Sequence, residues 1–211
     1  MRIVIFLFDG TTALDAVGPY ESLARIAESE VLFVGMNAGP VRTGDGMLGL
    51  IADAGIDDVR QADIVIVPGG NRRGLTRMVA DTRLQAWIRD VDSSSRWTCS
   101  VCSGSLILGA AGVLAGRRAS THWRVEAALA RFGAVYSPAR VTIDGKYMTS
   151  AGVSAGIDMG LMLCGELAGR EIAEAIELSM HYAPEPPFGT GDPRRFATPE
   201  RIRIIEEVLR H

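Results

Sequence analysis

Short apolar stretches alternate along this chain with segments of helical periodicity. Four stretches have the length and nearly continuous hydrophobicity of strands that are buried on both faces of a sheet: 3–8, 31–36, 64–67 and 97–101. Helical patterns occupy these segments: 20–27, 81–91, a stretch beginning near 103, 156–167 and 170–180. Strands that alternate with helices predict an α/β fold, with a mostly parallel central sheet and helices on both of its faces.

The C-terminal third carries further local signals. Asp144-Gly145 lies between two strand-like stretches, 141–143 and 147–149, and predicts a hairpin. Residues from about 183 to 197 are rich in Pro and Gly, which predicts an ordered arm that is too short for a linker between domains. A last helix is predicted at about 199–210.

The start signals of that last helix are clear. Thr198 is placed to cap it and Pro199 suits its first position. Its apolar positions fall on one face: Ile202, Ile205, Val208 and Leu209.

Length and composition limit the function classes. The 211 residues predict one domain, 1–211, since domains average roughly 150 residues. A net charge of -3 gives no indication of nucleic acid or an anionic membrane as a partner. No apolar run approaches the roughly 18 residues of a membrane span. Three cysteines argue against a disulfide framework and for a reducing compartment, which predicts a cytoplasmic protein without a signal peptide.

The junction at Cys102 is the strongest chemical signal. The strand at 97–101 stops there and a helix begins directly after it, as in a nucleophile elbow. The carboxyl end of a parallel strand and the positive end of a helix dipole meet at this thiol, which predicts a stabilised thiolate. The amide of Ser103 and an amide of Gly69-Gly70, at the end of another strand, are predicted to converge as an oxyanion hole.

Other roles for the cysteines are less consistent with the pattern. A buried structural thiol is the expectation for Cys164, inside an apolar helix. Cys99 and Cys102 form a Cys-x-x-Cys, but their side chains leave opposite faces of a strand, which argues against a redox dithiol. The chain lacks the second Cys pair that a zinc site would need, so no metal is predicted. The glycines form no dinucleotide or phosphate loop, so no cofactor is predicted.

Asp15 and His122 are the candidate partners of the thiol. Asp15 lies in an apolar loop after the first strand, so it is either a carboxyl with a raised pKa that transfers protons or a helix N-cap. Glu21 is expected to be a surface or structural residue. His122 follows a short strand, and it either orients the cysteine or packs under Trp123.

These motifs, in this order, resemble the ThiJ/PfpI superfamily over essentially the whole chain. The segments that carry the resemblance are Leu14-Asp15-Ala16-Val17-Gly18-Pro19, Pro68-Gly69-Gly70, the elbow with its helix, Thr121-His122-Trp123, the stretch 150–158 and Pro184-Glu185-Pro186-Pro187-Phe188. The resemblance implies a flavodoxin-like three-layer α/β/α sandwich. Within the superfamily, the chain is most similar to the isonitrile hydratase branch, because its first-loop carboxylate is Asp15. Ser103 stands where protease-like relatives carry His, which argues against a peptidase.

The resemblance also implies roles for these residues. Cys102 would be the nucleophile, Asp15 the proton-transfer carboxylate, and Ser103 a hydroxyl and amide donor. Gly70 would supply a second amide, and the stretch Gly152, Val153 and Ser154 would wall the pocket. The implied reaction is the hydration of a small electrophilic isonitrile to an N-substituted formamide by a homodimer.

Two alternatives stay open at this point. One is a glyoxalase- or deglycase-like enzyme that acts on α-oxoaldehydes. The other is a thiol stress sensor or ligand-sensing module without turnover, because an exposed reactive cysteine oxidises readily.

Overall fold

A mostly parallel sheet forms the centre of the molecule, whose computed structural model describes residues 1–208. The strands in chain order are β1 Arg2–Leu7, β2 Glu30–Gly35, β3 Gly39–Arg42, β4 Gly49–Ala52, β5 Ala54–Gly55, β6 Ile64–Val67, β7 Trp97–Val101, β8 Arg118–Ala119, β9 Val135–Tyr136, β10 Val141–Asp144 and β11 Tyr147–Ser150. Seven of them form the central sheet in the order β10-β11-β7-β6-β1-β2-β5. Only β10 and β11 pair antiparallel within it, which confirms the predicted hairpin and the flavodoxin-like α/β fold.

Helices cover both faces of this sheet. They are α1 Ala13–Leu23, α2 Arg72–Ala80, α3 Thr82–Ser94, α4 Gly104–Ala110, α5 Glu126–Leu129, α6 Ala155–Ala168, α7 Arg170–Ser179, α8 Pro193–Phe196 and α9 Pro199–Val208. One apolar cluster lies beneath α3 and α4, and the other lies beneath α1, α6 and α7. The nearly continuous hydrophobicity of β1, β6 and β7 has this origin, because both faces of each strand meet apolar side chains.

The first helix differs from its predicted span. α1 begins at Ala13, seven residues before the predicted start at 20, although Gly18 and Pro19 lie inside it. Pro19 removes one helical N–H, which costs about 3 kcal/mol in an isolated helix interior. Packing against α6 offsets this cost: a Cβ on Gly18 would come within 3.1 Å of Ile157, and one on Gly160 within 3.0 Å of the Pro19 Cα.

Several elements of the described chain were not predicted. The β3–β4 ribbon, the edge strand β5, helix α2, strand β9 and the short helix α5 are all absent from the sequence prediction, whereas β8 is the short strand expected before His122. Each is short or polar, so the periodicity that revealed the other elements is weak in them.

The C-terminal segment largely matches its prediction. The Pro-rich arm contains the short helix α8, and α9 begins at Pro199, where the Thr198 hydroxyl accepts a bond from the Arg201 amide at 3.4 Å. The predicted end of this helix at 210 and the apolar position Leu209 lie outside the described residues. Within residues 1–208, none of the helices has the length and apolarity needed to cross a membrane.

Candidate active site

Cys102 occupies a strained turn at the carboxyl end of β7. Its φ of 59° is in the left-handed region, which non-glycine residues seldom adopt. Bonds on both sides hold this conformation: the Cys102 amide donates to the Ser150 carbonyl at 3.1 Å, and the Cys102 carbonyl accepts from the Thr121 hydroxyl at 3.2 Å. The chain therefore makes the predicted strand–elbow–helix junction.

Two glycines allow the elbow to approach the loop after β6. A Cβ on Gly104 would lie 2.0 Å from the Val67 carbonyl oxygen, so a side chain there would push the start of α4 away from β6. A Cβ on Gly69 would lie 2.5 Å from the Ser103 hydroxyl and 3.0 Å from Asp15 Oδ2. The two glycines therefore bring the thiol, the serine and the carboxyl together.

Asp15 is fully buried in the first turn of α1. This position corrects the prediction of a loop, and it excludes the N-cap alternative because Thr12 is the N-cap residue. Asp15 Oδ2 accepts the Gly69 amide at 2.9 Å, whereas Oδ1 has no hydrogen-bond partner within the described chain. Burial raises the pKa of Asp15 to about 7, while the bonds from Gly69 and from the Cys102 thiol oppose that rise.

The Cys102 thiol differs from the sequence expectation. Cys102 is only 7 % exposed, and burial raises its pKa well above the ordinary range of a thiol. The negative charge of Asp15 raises this pKa further, whereas hydrogen bonds from the Ser103 amide and hydroxyl lower it. The predicted resting thiolate is therefore wrong: desolvation outweighs the effect of the short helix α4, and the thiol keeps its proton.

Ser103 and Gly70 are also arranged differently from the prediction. The Gly70 amide donates to the Ser103 hydroxyl at 3.3 Å, and that hydroxyl in turn faces the Cys102 sulfur. The two amides therefore do not converge on one open point as the predicted oxyanion hole requires. The Gly70 amide instead orients the Ser103 hydroxyl, and this hydroxyl stabilises the thiol.

The remaining candidates lie around this centre. His122 Nδ1 accepts from the Arg124 amide at 3.3 Å and its ring lies against Trp123 with 5.7 Å between the centroids. Burial and the nearby Arg124 charge lower the pKa of His122. These contacts match the packing alternative, because they hold the ring in its own loop.

The predicted pocket wall lies at the correct edge of the sheet. Gly152, Val153 and Ser154 follow β11, whose parallel pairing with β7 brings them to the same edge as Cys102. Val153 packs on the apolar cluster that contains Cys102, and the Ser154 hydroxyl accepts from Arg140 at 3.2 Å. Two surface cavities of about 790 and 490 Å³ lie elsewhere, at the ends of β1 and β2 and between α6 and α7, and Cys102 lines neither.

Sequence reasoning missed the groups that hold the elbow. Thr121 contacts Cys102 through its hydroxyl and Ser150 does so through its carbonyl, whereas Gly69, expected as part of a glycine pair with a free amide, donates that amide to Asp15. Backbone donors and acceptors carry no side-chain signature, so only the Gly-Gly pair could have suggested one of them. Cys99 and Cys164 are fully buried.

The arrangement is suited to shared proton transfer. A buried thiol and a buried carboxyl with a free oxygen lie together in an apolar setting, and two loop amides orient them. Within residues 1–208, no group of three or more His, Cys, Asp or Glu side chains is placed to hold a metal ion.

Comparisons with known proteins agree on one group. The sequence profile described as the DJ-1/PfpI family matches residues 1–166. The isonitrile hydratase of Pseudomonas putida is 38% identical over 193 residues, which cover 92% of this chain and 83% of that protein.

Solved structures and a more distant relative extend the comparison. The crystal structure of a ThiJ/PfpI family protein from Pseudomonas syringae superposes with a TM-score of 0.92 and 34% identity, covering 99% of this chain and 85% of that one. A deglycase of Thermococcus kodakarensis is 27% identical over 154 residues, which cover 71% of this chain and 89% of that protein.

Proposed function

Because the chain belongs to the DJ-1/PfpI family, we propose that it hydrates isonitriles to N-substituted formamides, with Cys102 as the nucleophile and Asp15 as the general acid and base. The observation that carries the proposal is the buried pair itself. Asp15 is buried beside the Cys102 thiol, its pKa is raised to about 7, and within residues 1–208 it takes part in none of the ion pairs. The identity to an isonitrile hydratase supports the choice of electrophile.

The proposed reaction begins with the thiol protonated. As the isonitrile enters, Asp15 takes the proton of Cys102 and delivers it to the terminal carbon of the substrate. The sulfur then forms a bond to that carbon and produces a thioimidate. General acid–base transfer of this kind contributes about 10²–10⁴-fold to a rate.

Water completes the cycle. Asp15 accepts a proton from the attacking water, the new C–O bond forms, and the C–S bond breaks as the thiol is regenerated. The nitrogen gains the remaining proton, so one water is consumed for each formamide released. The Ser103 hydroxyl and amide stabilise the sulfur while it is a thiolate.

The test is turnover of an alkyl isonitrile, followed as formamide by mass spectrometry. Cys102→Ala is expected to abolish formamide production, and Asp15→Asn to reduce kcat by about 10²–10⁴-fold. The matched control is Cys164→Ala, which removes another buried thiol and leaves kcat within about twofold. Undiminished production by either site variant contradicts the mechanism.

The pH dependence follows from the same pair. Asp15 must be ionised to take the thiol proton, so kcat/KM is expected to rise with pH and to level off above about 7. A profile that is flat from pH 5 to 9 argues against Asp15 as the base.

A second candidate rests on the likeness to the deglycase. An enzyme acting on α-oxoaldehydes would use the same thiol, so methylglyoxal is assayed beside the isonitrile on wild type and Cys102→Ser. Preference for methylglyoxal favours this alternative. Peroxide modification of Cys102 without turnover of either substrate favours the thiol sensor.

Single-domain folding, the homodimer and the cytoplasmic location stay predictions. Because Cys102 is almost covered and lines neither large cavity, a second copy is one way to complete the walls of the substrate site. Sedimentation analysis measures the oligomeric state directly.

A further inference from the structure

We infer that Thr121 is a positioning residue that fixes the Cys102 sulfur against Asp15 by holding the Cys102 carbonyl. Its effect on turnover rests on the proposed function, whereas its effect on the thiol does not. Thr121 is 1 % exposed and lies 19 residues beyond the elbow, in the loop after β8.

The elbow needs external support because its backbone is strained. A non-glycine residue at φ 59° is strained, and this conformation persists only when its surroundings hold it. The Cys102 carbonyl has turned out of the β7 ladder, and two hydroxyls donate to it. Ser105, in the first turn of α4, does so at 3.4 Å, and Thr121 does so at 3.2 Å.

These two donors differ in what they can fix. Ser105 follows Cys102 by three residues on the same turn, so it moves with the elbow. Thr121 belongs to a separate part of the fold, so its bond ties the elbow to a fixed external point. Only a contact to a separate part of the fold, such as the bond from Thr121, fixes where the sulfur lies relative to Asp15.

Thr121 is itself anchored through its neighbour. The Ser120 amide donates to the Thr149 hydroxyl at 2.8 Å, and the Ser120 hydroxyl pairs with the Thr142 hydroxyl at 2.7 Å. Thr142 and Thr149 lie on β10 and β11, and β11 ends at Ser150, whose carbonyl accepts the Cys102 amide. The β10–β11 hairpin therefore holds both backbone groups of Cys102, one of them directly and the other through Thr121.

Asp15 is positioned independently, by Gly69 and α1. Loss of the Thr121 hydroxyl thus removes the external bond to the Cys102 carbonyl and leaves the amide bond to Ser150, while Asp15 stays in place. The sulfur is then able to rotate away from the carboxyl, and the pair loses part of its coupling. A merely structural hydroxyl would alter stability without altering that coupling.

The experiment measures the thiol directly. Alkylation of Cys102 by iodoacetamide is followed by peptide mass spectrometry from pH 6 to 10 in wild type, Thr121→Val and Thr121→Ser. Thr121→Val is expected to change the alkylation rate across this pH range by at least about threefold and to lower kcat about tenfold, with KM within twofold, as loss of one hydrogen bond allows. Thr121→Ser, which keeps the hydroxyl, is expected to restore both values to within about twofold.

Thr98→Val is the matched control. Thr98 is another buried threonine, at the opposite end of β7, whose hydroxyl bonds to Ser95 and Asp92 and not to the elbow. Thr98→Val is expected to lower the melting temperature without changing the alkylation rate of Cys102. If Thr121→Val fails to fold, Thr121→Ala gives the same measurement.

The outcomes separate the two proposals. A Thr121→Val protein with a lower melting temperature but the wild-type alkylation profile overturns the positioning role. A shifted profile in a protein whose wild type does not hydrate isonitriles supports the positioning role and contradicts the proposed function.

Discussion

Two carboxylates, the buried Asp15 and the half-buried Asp92, lie at opposite ends of the sheet and have different surroundings. Asp92, near the amino end of β7, is saturated with partners: Lys146 Nζ lies 3.1 Å from it, the Thr98 hydroxyl donates at 2.7 Å and the Tyr147 hydroxyl at 3.3 Å. Asp15, beyond the carboxyl end of β1, has one backbone amide, the thiol and a free oxygen.

The difference shows how one side chain serves two purposes. Asp92 joins α3 to the β10–β11 hairpin through its contacts with one cation and two hydroxyls. Asp15 lacks a cation, so burial brings its pKa to about 7, where it exchanges protons readily. The polar atoms of a buried carboxyl ordinarily all have hydrogen-bond partners, and the candidate site breaks this rule at Asp15.

The largest effect expected from this comparison is on stability as a function of pH. Asp15 titrates near 3.8 when unfolded and near 7 when folded. The contribution of Asp15 to the free energy of unfolding is fully present below the unfolded pKa. It falls as pH rises between the two pKa values and levels off above 7. Wild type should lose roughly 3 kcal/mol between pH 5 and 8 relative to Asp15→Asn. Urea denaturation at both pH values measures this, and equal losses in the two proteins would contradict the raised pKa.

The next effect concerns the one fixed partner of Asp15. A Cβ on Gly69 would collide with the Ser103 hydroxyl and amide, so Gly69→Ala should displace the serine and the carboxyl from the thiol. We expect a loss of about 10–100-fold in kcat, since a displacement of about 1 Å costs that much. Gly191→Ala is the control, because a Cβ there has no neighbour within 4 Å and should leave kcat unchanged.

The smallest effect tests the other carboxylate. Asp92→Asn keeps the shape of the side chain but removes the charge beside Lys146. The free energy of unfolding should fall by about 1–2 kcal/mol, as expected for a partly exposed network, while isonitrile turnover stays within about twofold. A large loss of turnover in this variant would show that the two ends of β7 are coupled, and the comparison would fail.

The sequence predicted the parts of the fold that carry strong periodicity. β1, β6 and β7 were found because both of their faces are apolar, and the elbow was found because a strand, a cysteine and a helix follow one another without a gap. α1 was started too late because Gly18 and Pro19 suggest a break, and only the tertiary contact with α6 makes them acceptable in a helix.

The sequence predicted which residues form the candidate site better than it predicted their protonation and hydrogen bonds. Cys102 and Asp15 were both named, but the thiolate was wrong because desolvation depends on the surrounding fold and not on local sequence. The Gly70 amide was expected to form part of an oxyanion hole, but it donates to the Ser103 hydroxyl instead. Thr121 was quoted only as part of a motif, since its donor reaches a residue 19 positions away.

The tight seam between α1 and α6 has a consequence for laboratory evolution of new specificities. Gly18, Pro19 and Gly160 leave no room there for a larger side chain, and Asp15 lies on the same helix. Libraries that randomise this seam would mostly return unfolded or misaligned proteins. Randomising Gly152 to Ser154 is the better choice, because a Cβ on Gly152 meets open space and Cys102 and Asp15 are left in place.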